Sequence, residues 1–257
     1  MADSIFKVLI LIGRPASGKS EIIDYLLHTP LEERKQRFHV GELAVLDDFP
    51  MLWAWFEEDD ILEQMGKPRL HSDEQGNFKY RYLWNVLIER IGLAYHKMLR
   101  DQPDLHEATT VLVEFSRGTE HGGYRQALPH LPDDLLQRAG VVYVDVPFEE
   151  SLRKNRRRFN PERPDSILEH GLPDERLQRL YGEVDWEELS ARNAQFLRIG
   201  NVQVPYAVFE NQDDVTSGTP DRLGRRLEQV TGQLWDLQAR VTQVGGGGSE
   251  IEEESGA

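Results

Sequence analysis

Glycine, lysine and serine residues near the N-terminus have the spacing that a polyphosphate ligand requires. The stretch GRPASGKS connects the apolar run SIFKVLILIG to the helical pattern SEIIDYLLH. Glycines let backbone amides approach phosphates without side-chain obstruction, and the amides at a helix N-terminus favour anions. The pattern therefore predicts a nucleotide-binding loop formed by Gly13, Arg14, Pro15, Ala16, Ser17, Gly18, Lys19, Ser20 and Glu21.

Lys19 and Ser20 have distinct predicted roles in this loop. Lys19 is expected to reach the β- and γ-phosphates and to act in catalysis, and Ser20 to ligate Mg²⁺ where the helix begins. The alternative is a glycine-rich turn with an ordinary surface lysine. The buried strand before the loop and the helix after it are the context that the motif requires. We therefore expect ATP or GTP to bind here, with Mg²⁺ as cofactor and ATP as phosphoryl donor.

Carboxylates lie at the ends of two further strand patterns. Asp47 and Asp48 follow ELAVL, and Glu114 lies near the end of TTVLVEF. Ligands of open α/β sheets bind outside the carboxyl ends of the strands. Glu114 is expected to hold Mg²⁺ and to face the acceptor. Arg117 is expected to bind the acceptor. The alternative is that Glu114 and Arg117 form an ion pair with each other. Strand alternation directs Asp48 away from the Asp47 side, towards solvent or a helix cap.

A basic run in this acidic chain follows the fourth strand pattern and contains Arg153, Arg156, Arg157 and Arg158. Spacing of three and four residues favours one helix face. Arg153 and Arg157 are expected to clamp the transferring phosphate from a lid and to act in catalysis. The alternative is a solvated helix face, whose charge is balanced by Glu149, Glu150 and Glu162.

Two other arginines and an asparagine are candidate ligand contacts. Arg69 and Arg81 flank an aromatic region and are expected to hold a charged group of the acceptor. Asn211 follows the last strand pattern, where a loop can contact the nucleotide base. The aromatic side chains could line an acceptor pocket, although a core role is favoured. They are Trp53, Trp55, Phe56, Tyr80, Tyr82 and Trp84.

The elements that position these residues are strand patterns that alternate with helical ones. Strands are expected in SIFKVLILIG, ELAVLDDF, TTVLVEF, GVVYVDV and VPYAVFE. Such alternation predicts βαβ crossovers and an α/β fold with a mostly parallel sheet covered on both faces. The charged segment 149–198 is expected to form a helical lid. Residues 1–244 are the predicted domain, and 245–257 a flexible tail that is glycine-rich and then acidic.

The order of the motifs carries a family resemblance. GRPASGKS, LDDF, VEFSRG and the arginine run resemble P-loop kinases of nucleosides, nucleotides and small metabolites over roughly residues 5–235. The uridine kinase and phosphoribulokinase group carries aspartate-x-phenylalanine after strand two, as Asp47-Asp48-Phe49 does, with Pro50 in place of the usual tyrosine or histidine. The resemblance implies a three-layer α/β/α sandwich of about five strands in the order 2-3-1-4-5. It also implies that Asp47 is the base towards the acceptor hydroxyl; the alternative is that the two aspartates cap the next helix.

The function implied by this resemblance is transfer of the γ-phosphoryl group of ATP to a nucleoside, nucleotide or sugar-like acceptor. The competing interpretation is a non-catalytic or weakly hydrolytic regulatory protein that uses nucleotide as a switch. It requires Lys19 and Ser20 but not Asp47. A third interpretation is a kinase acting on a protein, an RNA end or a cell-wall sugar nucleotide.

Composition narrows the classes of partner. The 257-residue chain has a formal charge of −15 and no cysteine, so general nucleic-acid binding is disfavoured and disulfides are excluded. The apolar run Val8 to Ile12 is too short to span a membrane, and we expect a cytoplasmic protein without membrane contact. A homodimer is the expected assembly where the chain self-associates.

Overall fold

Within the described residues, 4–158 and 172–245, six strands form one sheet in this computed structural model. They are β1 (Val8–Gly13), β2 (Glu42–Asp47), β3 (Thr109–Phe115), β4 (Ala139–Asp145), β5 (Phe196–Ile199) and β6 (Val202–Glu210). The order across the sheet is β2-β3-β1-β4-β6-β5. The β5–β6 pair is antiparallel and the other pairs are parallel. The fold is thus a mixed α/β sandwich with a mostly parallel sheet.

Helices connect the strands and cover both faces of the sheet. The α-helices are α1 (Lys19–His28), α2 (Leu31–Phe38), α3 (Phe49–Gln64), α4 (Leu83–Asp101), α5 (Gly123–Ala127), α6 (Asp133–Leu136), α7 (Phe148–Arg158), α8 (Asp174–Tyr181), α9 (Trp186–Ser190) and α10 (Pro220–Gly245). Short 3₁₀ turns occupy Leu105–Glu107, Thr119–His121, Leu128–His130 and Val215–Ser217. In the described part of the chain, no helix combines the length and the apolar character needed to cross a membrane.

The side chains of β1 alternate between two buried cores, one on each face of the sheet. Val8, Ile10 and Ile12 pack with side chains of α4 and α5. Leu9 and Leu11 pack on the opposite face with side chains of α1 and α10. Every residue of β1 is buried, which explains why this strand is a continuous apolar run. The central strand and its phosphate loop are therefore fixed from both faces.

The sheet confirms the predicted strand order and adds one strand. The predicted fifth strand is β6, and the order of the other four is as expected. The strand that the sequence did not predict is β5, which forms a hairpin with β6 through Gly200 in the left-handed region at φ 56°. Only four residues long, β5 overlaps the end of the charged segment expected to be a lid. Its short pattern gave no periodic signal, because strands are recognised over longer alternation.

Two helical expectations also differ from the structure. The stretch GYRQALPHLPDDLLQR, before the fourth strand, has a sequence pattern that predicts a helix, but in the structure it divides into α5, a 3₁₀ turn and α6. Pro129 and Pro132 cause the break, because proline lacks the amide donor that a helix interior needs. The expected lid, 149–198, is not one separate unit. Its later part joins the core, where Trp186 stacks on Tyr143 with ring centroids 4.0 Å apart. Residues 159–171 and the tail beyond 245 lie outside the described residues.

Adjacent parallel strands end side by side at one edge of the sheet. Ile12 of β1 is in register with Phe115 of β3, and Asp47 of β2 is in register with Glu114. The loops that follow these strands therefore meet, as expected of open α/β sheets. This edge contains the GRPASGKS loop and the carboxylates that the sequence singled out.

Candidate active site

A cleft of about 960 Å³ opens at this edge of the sheet. One side is formed by the GRPASGKS loop, α1 and the loop between β6 and α10. The other side is formed by the segments that follow β2 and β3, by Trp84 of α4 and by Tyr181 of α8. We name the two sides after the ligands that the sequence predicts for them: the first is the phosphate end and the second is the acceptor end.

The backbone of the phosphate end needs glycine at two positions. Gly18 has φ 112°, and a Cβ there would lie 2.6 Å from Thr216 Oγ1. A Cβ on Gly13 would lie 2.6 Å from the carbonyl oxygen of Val144. Both distances are shorter than a side chain tolerates. Close packing against β4 and the β6–α10 loop, together with the left-handed turn at Gly18, thus explains the two glycines of the motif.

Buried hydrogen bonds support the loop from below. Asn211 Nδ2 donates to the carbonyl oxygen of Ser17 and to Thr216 Oγ1, at 2.7 Å each. Asn211 is fully buried and its Oδ1 accepts the amide of Thr216. A contact between Asn211 and the nucleotide stays a prediction; in this structure the amide group of Asn211 is used to hold the loop. Its position beneath the loop depends on β6, which sequence spacing could not place.

The flanking loop residues are also held by the protein. The guanidinium of Arg14 donates to the carbonyl oxygens of Val146 and Tyr181, at 3.0 and 3.2 Å. Ser151 Oγ of α7 donates to the carbonyl oxygen of Pro15 at 2.7 Å. No sequence pattern predicts these contacts, which tie α7 and α8 to the loop. Pro15, Ala16, Ser20 and Glu21 line the cleft, whereas Ser17 is fully buried.

Lys19 lies inside the loop and points to the meeting point of β1 and β3. Its Nζ donates to the carbonyl oxygens of Gly13 and Arg14, at 3.3 and 3.0 Å, and to Ser116 Oγ at 2.8 Å. Glu114 is 3.8 Å from the same Nζ. A phosphate entering the loop can replace the carbonyl oxygens as partners of the ammonium group. Ser116 is a further cleft residue that sequence analysis missed, although it lies beside Arg117 in VEFSRG.

Asp47 combines features of a helix cap and of a base. Its Oδ1 accepts the amide of Phe49 at 2.9 Å, as in a cap at the start of α3. Burial, and after it the neighbouring charge of Glu114, together raise the pKa of Asp47 to about 7. A carboxyl group with this pKa takes up and releases a proton near neutral pH. The two alternatives considered for Asp47 are therefore compatible with one another.

Asp48 and Arg117 form a buried ion pair that the sequence did not predict. Arg117 Nη1 lies 2.6 Å from Asp48 Oδ2, and the Arg117 side chain is 1% exposed. Arg117 also donates to the carbonyl oxygens of Ser116 and Trp84, and packs against the rings of Trp84 and Phe115. Of the two positions expected for Asp48, solvent or the start of a helix, the structure shows the second, with the side chain buried, and the carboxylate that pairs with Arg117 is that of Asp48. Asp48 follows the last residue of β2 and begins α3, so strand alternation does not apply to it.

Arg69 and Arg81 do not lie on the wall of the cleft. Arg69 forms ion pairs with Asp60 and Glu63. Arg81 is exposed and donates to the carbonyl oxygen of Thr119. Their predicted contact with the acceptor is not supported, because nearby acids and a backbone carbonyl engage both guanidinium groups.

Arg153, Arg156 and Arg157 of α7 are exposed in this structure and do not line the cleft. Arg153 forms ion pairs with Glu150 and Asp214, at 2.6 and 2.7 Å. Arg157 is exposed on the same helix. The catalytic role predicted for Arg153 and Arg157 is therefore not supported by this arrangement. The balanced helix face is the better description of Arg153, while Glu162 lies outside the described residues.

The aromatic residues divide between the core and the cleft. Trp55 is buried and stacks on His71, and Phe56 packs on Phe78. Tyr80 and Tyr82 are exposed and stack on each other. Trp84 is the predicted aromatic residue that lines the cleft; Phe49 and Tyr181 line it too and were not singled out. No local pattern could have identified Tyr181, because its place depends on how α8 packs.

The side chains near the loop include the oxygen ligands that a magnesium ion prefers. Mg²⁺ prefers oxygen ligands and keeps several waters, so one or two protein oxygens suffice beside substrate phosphates. Ser20 and Glu114 supply such oxygens on the cleft wall. The raised pKa of Asp47, caused in part by Glu114, indicates excess negative charge that a cation would offset. Among the described residues, no cluster of three or more histidine or acidic side chains forms a metal cage.

Comparison with known proteins gives similarity of fold only. No family model and no curated protein matches the chain. An unliganded sugar kinase from Janibacter sp. HTCC2649 is 14% identical, with a TM-score of 0.42 over 90% of this chain and 97% of that one. TT1252 from Thermus thermophilus is 19% identical, with a TM-score of 0.39 over 90% and 98% of the two chains. APE1195 is 15% identical, with a TM-score of 0.40 over 89% and 98%. Similarities at this level do not transfer an activity.

Proposed function

We propose that this protein transfers the γ-phosphoryl group of ATP to a hydroxyl group of a small-molecule acceptor. The supporting observation is that Lys19, Glu114 and Asp47 line one cleft. Glu114 is 3.8 Å from the Lys19 ammonium group and in register with Asp47. A phosphate-binding cation and a proton-accepting carboxylate thus lie on either side of the same glutamate.

Phosphoryl transfer depends on positioning and on stabilisation of the developing charge. In the proposed reaction, the backbone amides of the loop and Lys19 bind the phosphates. Lys19 then exchanges its contacts with the carbonyl oxygens of Gly13 and Arg14 for contacts with phosphate oxygens. The hydrogen bonds of Asn211 and Ser151 hold the loop in place, so little reorganisation is needed when nucleotide binds.

Asp47 orients the acceptor hydroxyl and accepts its proton in this proposal. A pKa of about 7 leaves a large fraction of the carboxyl group ionised at neutral pH while keeping it basic enough to accept a proton. The amide of Phe49 fixes the direction of the carboxylate through its 2.9 Å hydrogen bond. When bound, Mg²⁺ would be held by Ser20 and Glu114 and would neutralise part of the phosphate charge.

The experiment that tests the proposal measures ATP turnover with Mg²⁺, with and without pooled metabolites, and identifies phosphorylated products by mass spectrometry. Wild type is compared with Lys19→Ala and with Lys35→Ala, which removes a lysine paired with Glu32 outside the cleft. Wild type and Lys35→Ala are expected to phosphorylate an acceptor, and Lys19→Ala is not. ATP binding without acceptor phosphorylation in wild type would reject the proposal and favour the regulatory interpretation.

A further inference from the structure

The charge and shape of the acceptor end restrict what can bind there. Resting on the phosphotransfer proposed above, we infer that the acceptor is an uncharged or amine-bearing hydroxyl compound that carries no phosphate or carboxylate group. The inference narrows the acceptors that the motifs suggest, because nucleotides and sugar phosphates are excluded. Its support comes from the charges on the cleft wall, the contacts of Arg117 and the apolar surface beside them.

Carboxylates outnumber cations on the described wall of the cleft. The acids are Glu21, Asp24, Asp47, Asp48 and Glu114, and the bases are Lys19, His28 and Arg117. Lys19 lies within the phosphate loop, where it serves the nucleotide. His28 is at the far end of α1 and lies 3.2 Å from Asp24. Among the described residues, this leaves Arg117 as the cation beside the acceptor.

Arg117 is held by a carboxylate, two carbonyl oxygens and two aromatic rings, while its buried Nε has no hydrogen-bond partner among the described residues. Asp48 neutralises its charge at 2.6 Å, and the carbonyl oxygens of Ser116 and Trp84 accept hydrogen bonds from Nη1 and Nη2 at 2.7 and 2.9 Å. The rings of Trp84 and Phe115 hold the guanidinium plane. An anionic acceptor would have to displace Asp48 or lie beside its carboxylate. Either arrangement leaves one buried negative charge without a partner, which is costly.

Hydroxyl and ammonium groups fit the same surroundings because they donate hydrogen bonds. Asp47 and Asp48 are acceptors when ionised, and both line the cleft. A donor on the acceptor molecule is therefore matched to them without any change in the protein. An amine adds attraction to the carboxylates, which outnumber the cations on the described wall of the cleft.

Apolar and aromatic surface completes the acceptor end. Phe49, Leu52, Trp84 and Tyr181 line the cleft next to the aspartates. Such surface suits the carbon skeleton or ring of a polyhydroxylated molecule, with the hydroxyl groups directed at the carboxylates. The combination favours a nucleoside-, sugar- or amino-sugar-like acceptor over any phosphorylated form of it.

The first test measures inorganic phosphate binding by calorimetry, with the full chain saturated with Mg²⁺ and a non-hydrolysable ATP analogue so that the phosphate loop is filled. Wild type is expected to bind phosphate weakly. Asp48→Asn removes the counter-charge of Arg117 and is expected to bind phosphate at least about tenfold more tightly. The double variant Asp48→Asn/Arg117→Gln should lose this gain. Equal phosphate binding by wild type and Asp48→Asn would overturn the inference.

The second test needs no variant and applies even where Asp48→Asn does not fold. Matched pairs are titrated into the same wild-type complex: uridine with uridine 5′-monophosphate, glucose with glucose 6-phosphate, and glucosamine with gluconate. The uncharged or amine-bearing member of at least one pair is expected to bind about tenfold or more tightly than its anionic partner. An anionic member that binds as tightly as its partner, or a panel without any binding, would overturn the inference.

These binding tests are independent of phosphoryl transfer. A protein that binds neutral hydroxyl compounds but transfers no phosphate would contradict the proposed function while supporting the inference. A protein that phosphorylates an anionic acceptor in a Lys19-dependent reaction would support the proposed function and reject the inference.

Discussion

The two ends of the cleft are built in different ways. At the phosphate end, eight consecutive residues, Gly13 to Ser20, supply the loop. At the acceptor end, the side chains come from segments that are far apart in sequence: Asp48 precedes α3, Trp84 belongs to α4, Arg117 follows β3 and Tyr181 ends α8. The first end depends on local backbone geometry and the second on tertiary packing. A scaffold built in this way can keep one binding site while the other changes.

The two ends also differ in how they are held. Neutral hydrogen bonds from Asn211 and Ser151 support the loop. Buried charges dominate the acceptor end, where Arg117 pairs with Asp48 and burial raises the pKa of Asp47. Neutral hydrogen bonds mainly fix geometry, whereas buried charges cost stability and are retained where they serve specificity or catalysis. Mutations at the two ends should therefore have different effects on stability.

The largest expected effect is on activity at the phosphate end. Lys19→Ala should lower ATP turnover about a thousandfold, because it removes the cation that stabilises the transferring phosphate. Lys154 is the comparison, since it is also buried but binds Asp214 and Thr216 under the loop. Lys154→Ala should lower the melting temperature and reduce turnover less than about tenfold. Equal loss of turnover in the two variants would mean that the position of Lys19 inside the loop has no particular effect on turnover.

At the acceptor end, removal of a charge should lower activity and raise stability. Asp47→Asn is expected to lower phosphoryl transfer about a hundredfold, because the base is lost. The same change should stabilise the ligand-free protein by about 1–3 kcal/mol at pH 8. The folded protein retains the Asp47 proton up to pH 7 or so, whereas the unfolded chain releases it near its ordinary pKa of 3.8. Wild-type stability therefore falls relative to the variant as pH rises between these values.

Urea unfolding of wild type and Asp47→Asn at a series of pH values checks this prediction. The difference in free energy of unfolding should vanish near pH 4 and reach its full size above pH 7. A variant that is less stable than wild type at pH 8 would show that Asp47 is chiefly a helix cap. Asn retains an oxygen that can accept the amide of Phe49, so the cap itself is preserved in the comparison.

Backbone geometry at the phosphate end should be sensitive to a single methyl group. Gly18→Ala places a Cβ 2.6 Å from Thr216 Oγ1 at a positive φ, and should destabilise the protein by about 2 kcal/mol. Gly232→Ala is the matched control, because nothing lies within 4 Å of its added Cβ in α10. It should stabilise the helix by up to about 1 kcal/mol. Denaturant unfolding distinguishes the two variants. Similar changes in their free energies of unfolding would contradict the close packing at Gly18.

Sequence patterns predicted the parts of the fold that depend on local order. β1, β2, β3, β4 and β6 lie where apolar runs predicted strands, and their order follows the expected fold. The short β5 was missed, because four residues within a charged segment carry too little periodicity. The assignment of GRPASGKS to nucleotide is a prediction that the loop geometry supports.

Side-chain partners at the acceptor end could not be predicted in the same way. Sequence analysis predicted that Arg117 and Arg69 bind the acceptor and that Arg153 clamps the transferring phosphate. In the structure, each of these arginines has an acidic partner. The partners farthest apart in sequence are Arg117 and Asp48, which are separated by 69 residues (117 − 48). Which acid reaches an arginine depends on packing between elements, and no local pattern records it. Arginine clusters in a sequence are therefore weak evidence for a phosphate clamp.

The smallest expected effect distinguishes two arginines that look alike in sequence. Arg69→Gln removes ion pairs to Asp60 and Glu63 outside the cleft, and should change turnover less than about twofold and stability by no more than about 1 kcal/mol. Arg117→Gln leaves Asp48 buried without its counter-charge and should cost about 3–5 kcal/mol. Unfolding and turnover measured side by side give the contrast. A loss of acceptor affinity in Arg69→Gln would mean that the loop around Arg69 moves onto the cleft when substrate binds, and the acceptor end would then contain a second cation.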